Sequence, residues 1–362
     1  MLNIKQLLLL GIIAVCGGVA FYLLHTPIPF LLGSMIAVLL FQVLRAEPHV
    51  VPRTTTMFAQ SIIGLNIGMA FSPGIYREIG HLILPLAGYL LTILLLGLLA
   101  GYLLYKMSGL DPLTALFCCA PGGASEMIGL ADEFKVDAQI VAVYHSFRIV
   151  FIISFMSFFI PWLDMVRDGA RQVFNVSQRS LAGGTNIEAV LGLLLISAIC
   201  FTISKRVRIP ASALFISLIV GILLNTFVLH MPKAPLLFNA VGQLVLGIAI
   251  GSRFNQVSLR KINRLKYTIA FSILLTVFSA LVLGVAFSHI TSENMIISLL
   301  SIVPGGASEM ATIAFSLGYD VTMVTTIQFV RLFAVFIVGP KVILEVNSRL
   351  LLRHGKTKSQ RV

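Results

Sequence analysis

Charged residues are scarce in this sequence. Aspartate, glutamate, lysine and arginine together make up 11% of its 362 residues, whereas soluble domains carry about 25%. Hydrophobic residues make up 58%, and the mean hydropathy is +0.99. These values exclude a soluble globular domain. They predict an all-α membrane protein that crosses the bilayer many times.

Acidic residues are scarcer than basic ones, with 14 against 26, and the formal net charge is +12. Such an excess can indicate a nucleic-acid partner. Here, however, the basic residues lie between apolar segments and in the stretch that begins at Lys341, as the positive-inside rule predicts for a membrane protein. We therefore expect the lipid bilayer as a partner and no direct binding of nucleic acid.

Clustered metal ligands and paired cysteines are also missing. The four cysteines lie in apolar segments without a C-x-x-C pair, and the seven histidines are scattered without an H-x-x-x-H pair. A copper or iron centre needs its ligands gathered at helical spacing. We expect no disulfide framework, no metal, no cofactor and no enzymatic activity.

What the sequence does contain is a long internal repeat. The residues PGGASEM occupy positions 121–127 and return at 304–310, an offset of 183. Ile28-Pro29 matches Ile209-Pro210 at an offset of 181, which predicts an insertion or deletion near residues 47–56. The further matches at the offset of 183 are Gln60 with Gln243, Gly64 with Gly247, Gly68 with Gly251, Phe71 with Phe254, Asp137 with Asp320 and Arg148 with Arg331.

Ten apolar segments approach the roughly 20 residues that a membrane-spanning helix needs. We predict spans at 7–24, 28–44, 57–71, 82–105, 138–160, 187–203, 209–229, 238–252, 267–287 and 321–340. Two further apolar segments, 112–131 and 294–315, contain the PGGASEM motif and are predicted to be broken helices. The sequence divides into a first repeat (1–160), a polar linker (161–186), a second repeat (187–341) and a basic cytoplasmic tail (342–362).

The orientation of the two repeats depends on the broken helices. If each enters the membrane and returns, a half has five spans and the halves are inverted; if each crosses, a half has six and they are parallel. The re-entrant arrangement places 19 lysines and arginines inside and 5 outside, with Arg148 and Arg331 within the membrane. We predict two inverted repeats of about five transmembrane helices, each with a re-entrant broken helix carrying PGGASEM.

The broken helices are the predicted binding site. Proline ends the first arm of each, and a glycine pair permits backbone angles that other residues avoid. The N–H groups of the next helix and its dipole then suit an anion. The predicted substrate-binding residues of the motifs are Gly122, Gly123, Ser125, Gly305, Gly306 and Ser308.

Charged side chains complete the predicted site. Arg148 and Arg331 lie inside apolar helices, where an arginine is costly and indicates function. They either bind a substrate carboxylate or phosphate through two hydrogen bonds, or pair with a motif glutamate. Glu126 and Glu309 either cap their own helices or carry a proton or cation.

Several neutral or capping residues have a predicted supporting role. His145 and Gln328, one turn before the arginines, are second-shell or packing residues, and Gln60 and Gln243 could reach the cavity. The two G-x-x-x-G stretches are predicted packing faces. Asp137 and Asp320 are predicted N-caps of the last helix in each half.

Together, the doubled P-G-G element, the arginines in Phe147-Arg148-Ile149 and Val330-Arg331-Leu332, and the Q-x-x-x-G-x-x-x-G stretches resemble the membrane AbrB duplication family of bacteria. The resemblance covers essentially the whole chain. It implies a multi-pass protein of the bacterial inner membrane. Family members carry two kinds of label, one naming an ammonia monooxygenase and the other a regulator of gene expression.

From these residues we expect a secondary transporter of a small organic anion or amino acid, working by alternating access around a midplane site. The alternative is a membrane-embedded regulator or sensor of gene expression that acts through a partner, as the family label implies. The expected partners are the bilayer and a small anionic substrate, with a homodimer as one option.

Overall fold

The chain is all-helical wherever its regular structure is described. The computed structural model describes residues 4–24, 26, 28–45, 51–70, 79–123, 127–128, 130–131, 134, 136–168, 187–207, 209, 211–229, 235–254 and 266–359. The helices are α1 (Ile4–Leu23), α2 (Pro29–Leu44), α3 (Arg53–Met69), α4 (Ile79–Ser108), α5 (Pro112–Cys119), α6 (Ala138–Asp168), α7 (Ile187–Ser204), α8 (Ser212–Leu224), α9 (Leu236–Gly251), α10 (Lys266–Thr291), α11 (Met295–Ile302), α12 (Ala307–Ser316) and α13 (Val321–Ser359).

Each of the ten predicted spans overlaps one of these helices, so the prediction of helices is confirmed. By length and composition, five helical segments within the described residues can cross a membrane. They are Ile83–Ser108, Ala138–Val166, Ile187–Ser204, Lys266–Thr291 and Val321–Leu350. The structure thus gives a helical protein of membrane type, and the number of ten spans stays a prediction.

Two helices continue beyond the predicted spans into the predicted linker and tail. Helix α6 runs through Pro161 to Asp168, and α13 runs through Pro340 to Ser359. A proline removes one backbone hydrogen bond, and in the turns before Pro161 the rings of Phe151, Phe155 and Phe159 stack along one side of the helix. The predicted linker and tail therefore both begin within helices, and residues 169–186 lie outside the described part of the chain.

The chain forms two compact units, and each combines segments from both halves of the sequence. Unit 1 contains Met1–Glu78, Val150–Leu259 and Ser308–Thr325, and unit 2 contains Ile79–Ile149, Arg260–Ala307 and Thr326–Val362. The boundary falls inside the second PGGASEM motif, between Ala307 and Ser308. The predicted division at residues 161–186 concerns the repeats in the sequence and stays a prediction.

Glycines bring the helices of unit 1 into close contact. A Cβ on Gly64 of α3 would collide with the Leu214 carbonyl and the Ser217 hydroxyl of α8. A Cβ on Gly247 of α9 would collide with the Ser34 hydroxyl of α2. Since only glycine allows this approach, the prediction that both G-x-x-x-G stretches are packing faces is confirmed.

These contacts are reciprocal between the halves. Ser34 and Ser217 are 183 residues apart, as are Gly64 and Gly247, so α3 meets α8 as α9 meets α2. The left-handed residues before α2 and α8, Ile28 (φ 54°) and Ala211 (φ 50°), have the same offset. The expected match of Ile28 with Ile209 is therefore wrong. The two Ile-Pro pairs are not at equivalent positions. The offset between the halves is already 183 at Ile28, so no insertion or deletion near residues 47–56 is needed.

Candidate functional site

The first broken helix turns at Ala120–Gly123, in unit 2. Helix α5 starts at Asp111, whose carboxylate accepts a hydrogen bond from the Thr114 N–H at 2.8 Å, and ends at Cys119. The Gly123 carbonyl then accepts from the Met127 N–H at 2.9 Å, which begins the next helical turn. The carbonyls at the end of α5 therefore need donors from outside the helix.

The second broken helix has the same construction. Asn294, at the position equivalent to Asp111, caps α11 by accepting from the Ile296 N–H at 2.8 Å. Helix α11 ends at Ile302, and α12 begins at Ala307. Between them Gly306 has φ 101°, a conformation that L-residues with a side chain rarely adopt. Here the motif needs glycine.

Arg148 of α6 binds the open end of α5. It donates from Nη1 to the Ala120 carbonyl and from Nη2 to the Gly122 carbonyl, both at 2.9 Å. The side chain is 1% exposed. A cation is favourable at a helix C-terminus because the helix dipole is negative there. Arg148 therefore satisfies backbone groups that the break leaves open.

Arg331 of α13 does the same at the end of α11. Its Nη1 donates to the carbonyls of Ile302 and Val303, at 3.2 and 3.1 Å, and its Nη2 donates to the Gln328 side-chain oxygen. Val303 is equivalent to Ala120 at the offset of 183. Each of these two buried arginines thus binds the carbonyl just before a motif proline.

His145 and Gln328 also bind the helices that end at the breaks, α5 and α11. The His145 Nε2 lies 3.1 Å from the Phe117 carbonyl, and since a carbonyl only accepts, Nε2 donates. The Gln328 Nε2 donates to the carbonyl of Leu300, the counterpart of Phe117, at 2.8 Å. Each of these side chains therefore binds a carbonyl near the helix end that the neighbouring arginine also binds, and their supporting role at a binding site stays a prediction.

Sequence reasoning missed two hydroxyl residues at the breaks. Tyr89 of α4 donates to the Ile302 carbonyl at 2.9 Å and interacts with Arg331. Its counterpart Ser272 of α10 lies 3.1 Å from the sulfur of Cys119, which is the counterpart of Ile302. The contact is therefore reciprocal between the halves. The identity search passed over it because tyrosine and serine differ.

The space beside the first break is small. A cavity of about 30 Å³ lies against Cys119 and Pro121 and is also lined by Gly97 and Thr276. That volume is large enough to hold a water molecule.

The other predicted residues of the second motif belong to unit 1. Ser308 donates to the Glu309 carboxylate at 2.7 Å, and Glu309 lies in the first turn of α12 with 7% exposure. An acidic side chain in a first turn is stabilised by the helix dipole. This geometry agrees with the capping interpretation of Glu309. Ser125 and Glu126 lie outside the described residues.

The two glutamines of the predicted second shell lie in unit 1, and Gln60 is half-buried in α3. Gln243 of α9 is 3% exposed and donates to the Ser316 hydroxyl at 3.0 Å. The predicted N-caps are confirmed, since Asp137 accepts from the Ile140 N–H at 3.1 Å and Asp320 from the Thr322 N–H at 2.7 Å.

Comparisons with known proteins identify relatives over nearly the whole chain. The family model described as transition state regulatory protein AbrB matches residues 30–345. A protein of Escherichia coli strain K12 named "Putative regulator AbrB" is 26% identical over 342 residues, which cover 92% of this chain and 94% of that protein. "Uncharacterized protein YhjN" of Bacillus subtilis strain 168 is 24% identical over 351 residues, which cover 91% and 90%.

Proposed function

The chain belongs to the AbrB family, and on that premise we propose that this member is a secondary transporter of a small organic anion in the bacterial inner membrane. The observation that carries the proposal is the pair of buried guanidinium groups at the two helix breaks. Among the described residues of unit 2, neither guanidinium has a carboxylate in ion-pair range. A buried charge is normally paired, because desolvation costs several kcal/mol for each ion.

The charges near the breaks leave a net positive site. Arg148 and Arg331 are close enough for their charges to interact. The C-terminus of a helix carries about half a negative charge, so the ends of α5 and α11 offset roughly half of the two positive charges. About one positive charge remains, which a single carboxylate neutralises.

Donors for such an anion are present. The Nε atoms of Arg148 and Arg331 are buried and bind no acceptor within the described chain. The hydrogen bonds to backbone carbonyls use only the Nη atoms of the two arginines. An Nε–H group is one of the guanidinium donors that recognise a carboxylate or phosphate.

The reciprocal contacts support the rest of the proposal. In both units, a contact between residues of the two halves is repeated by the counterparts of those two residues at the offset of 183. Inverted repeats that carry broken helices are the usual framework of alternating access. We propose ten spans with both termini in the cytoplasm, and Glu126 and Glu309 as carriers of a coupled proton.

A regulator acting through a partner is the second candidate. The name of the Escherichia coli relative, a regulator, favours it. So does α13, whose 39 residues reach about 58 Å at 1.5 Å per residue, well beyond a hydrocarbon core of about 30 Å. Its basic end would then be available to another protein.

Thermal unfolding of the purified protein with a panel of small carboxylates, at constant ionic strength, tests anion binding. We expect a bound carboxylate to stabilise the fold by about 2.7 kcal/mol at 100 times its Kd. The stabilisation should be absent in Arg148→Gln/Arg331→Gln and present in Arg349→Gln, which changes an exposed arginine. Equal stabilisation of all three proteins would refute the arginine site.

A further inference from the structure

Three buried amide side chains and the half-buried Ser316 form a network of neutral polar groups in unit 1. Asn66 of α3 donates from Nδ2 to the Asn239 Oδ1 of α9 at 3.0 Å. Gln243 of α9 donates from Nε2 to the same Asn239 oxygen at 3.4 Å and to the Ser316 hydroxyl of α12 at 3.0 Å. The network therefore joins three helices.

Two oxygens of this network accept no hydrogen bond from the described residues. Asn66 Oδ1 and Gln243 Oε1 are buried, each on a side chain that is 3% exposed, and no described residue donates to them. Reversing any one of the three amides would oppose two oxygens or two NH2 groups, so the orientations support one another. A buried acceptor without a donor costs about 1–3 kcal/mol.

We propose that these oxygens bind a small monovalent cation such as Na⁺. Amide and hydroxyl oxygens are ligands of hard cations. The four side chains carry no charge, whereas protein sites for divalent ions usually include carboxylates. Asn66 Oδ1 and Gln243 Oε1 are the direct ligands, and Asn239 positions both amides through the hydrogen bonds that its oxygen accepts.

The sequence does not repeat this network in the other half. At the offset of 183, Ala249 stands at the position equivalent to Asn66, and Thr56 stands at the position equivalent to Asn239. Of the three amide residues, only Gln243 has an identical residue, Gln60, at the equivalent position. The cation site is therefore a feature of one half of the duplication, and one ion binds per chain.

The proposed cation site is separate from the proposed anion transport, so it can be tested without any organic anion. We would measure the Tm of the full-length protein in NaCl and in choline chloride at equal ionic strength. Na⁺ is expected to raise the Tm in a saturable manner. Gln243→Leu should lose this response, while Gln60→Leu, the matched change at the equivalent position, should keep it.

Asn66→Asp provides a second variant that retains an oxygen ligand and adds a negative charge. It should respond at lower Na⁺ concentrations than the natural protein. Arg148→Gln/Arg331→Gln should keep the Na⁺ response, which separates failure of this site from failure of the anion site. Equal Tm values in the two salts are the result for a network that binds only water, and they would overturn the proposal. An unchanged Na⁺ response in Gln243→Leu would also overturn it.

Discussion

Arg148→Lys is expected to lower the free energy of unfolding by about 1.5–3 kcal/mol, the range for a hydrogen bond to a charged group. Lysine keeps the positive charge, but its single ammonium cannot reproduce the planar fork that reaches the carbonyls of Ala120 and Gly122. At least one carbonyl at the end of α5 then loses its donor. Because the charge is retained, the change isolates the geometry of the guanidinium.

Denaturant unfolding of the detergent-solubilised protein measures this loss, with Arg331→Lys as a second test at the other break. The control is Arg349→Lys, since Arg349 is exposed and pairs with Glu345 within one helix. An exposed pair of this kind contributes about 0–1 kcal/mol. If Arg148→Lys and Arg349→Lys have equal stability, the arginines do not hold the broken helices.

Gly306→Ala is expected to destabilise the protein by about 1–3 kcal/mol, the cost of holding a residue with a side chain in an unfavourable backbone region. Gly306 has φ 101° and lies between α11 and α12. Relaxing that angle would change the path of the backbone within the second motif. The substitution should therefore reduce both stability and carboxylate binding.

Gly192→Ala is the matched control. Gly192 lies within α7, and a Cβ there would meet no atom within 4 Å. Alanine is the better helix former by up to about 1 kcal/mol, so this variant should be as stable as the natural protein or more so. Unfolding curves that show no difference between the two alanine variants would contradict the conformational role of Gly306.

The sequence predicted the parts of the structure that depend on local pattern. Helices form where apolar residues continue for about a span, and aspartates before α6 and α13 cap those helices as expected. The G-x-x-x-G faces could be predicted because close helix packing needs glycine at that spacing. Helix ends were less accurate, since α6 continues through Pro161 and α13 through the basic tail.

The roles of the arginines could not be derived from the sequence. Their partners are backbone carbonyls of Ala120, Gly122, Ile302 and Val303, which become available only where the two helices stop. Every residue has a backbone carbonyl, so the residue types in a sequence do not show which carbonyls an arginine binds. The alternatives considered from the sequence, a substrate anion or a motif glutamate, omitted this third kind of partner.

Residues that break the repeat were also missed. Tyr89 and Ser272 occupy equivalent positions with different side chains, and Asn66 is equivalent to Ala249. A search for identities at the offset of 183 passes over such pairs. The available signal was chemical, because a tyrosine or asparagine within an apolar helix needs a hydrogen-bond partner in the membrane.

The most direct test of the transport proposal is the flux of a labelled carboxylate into proteoliposomes, using the compound that stabilises the protein most in thermal unfolding. We expect a saturable flux that Arg349→Lys retains and that Arg148→Lys/Arg331→Lys loses. A compound that binds at the arginines without crossing the membrane would contradict transport and favour the regulator. Full flux in the double variant would show that the anion crosses without the two buried arginines.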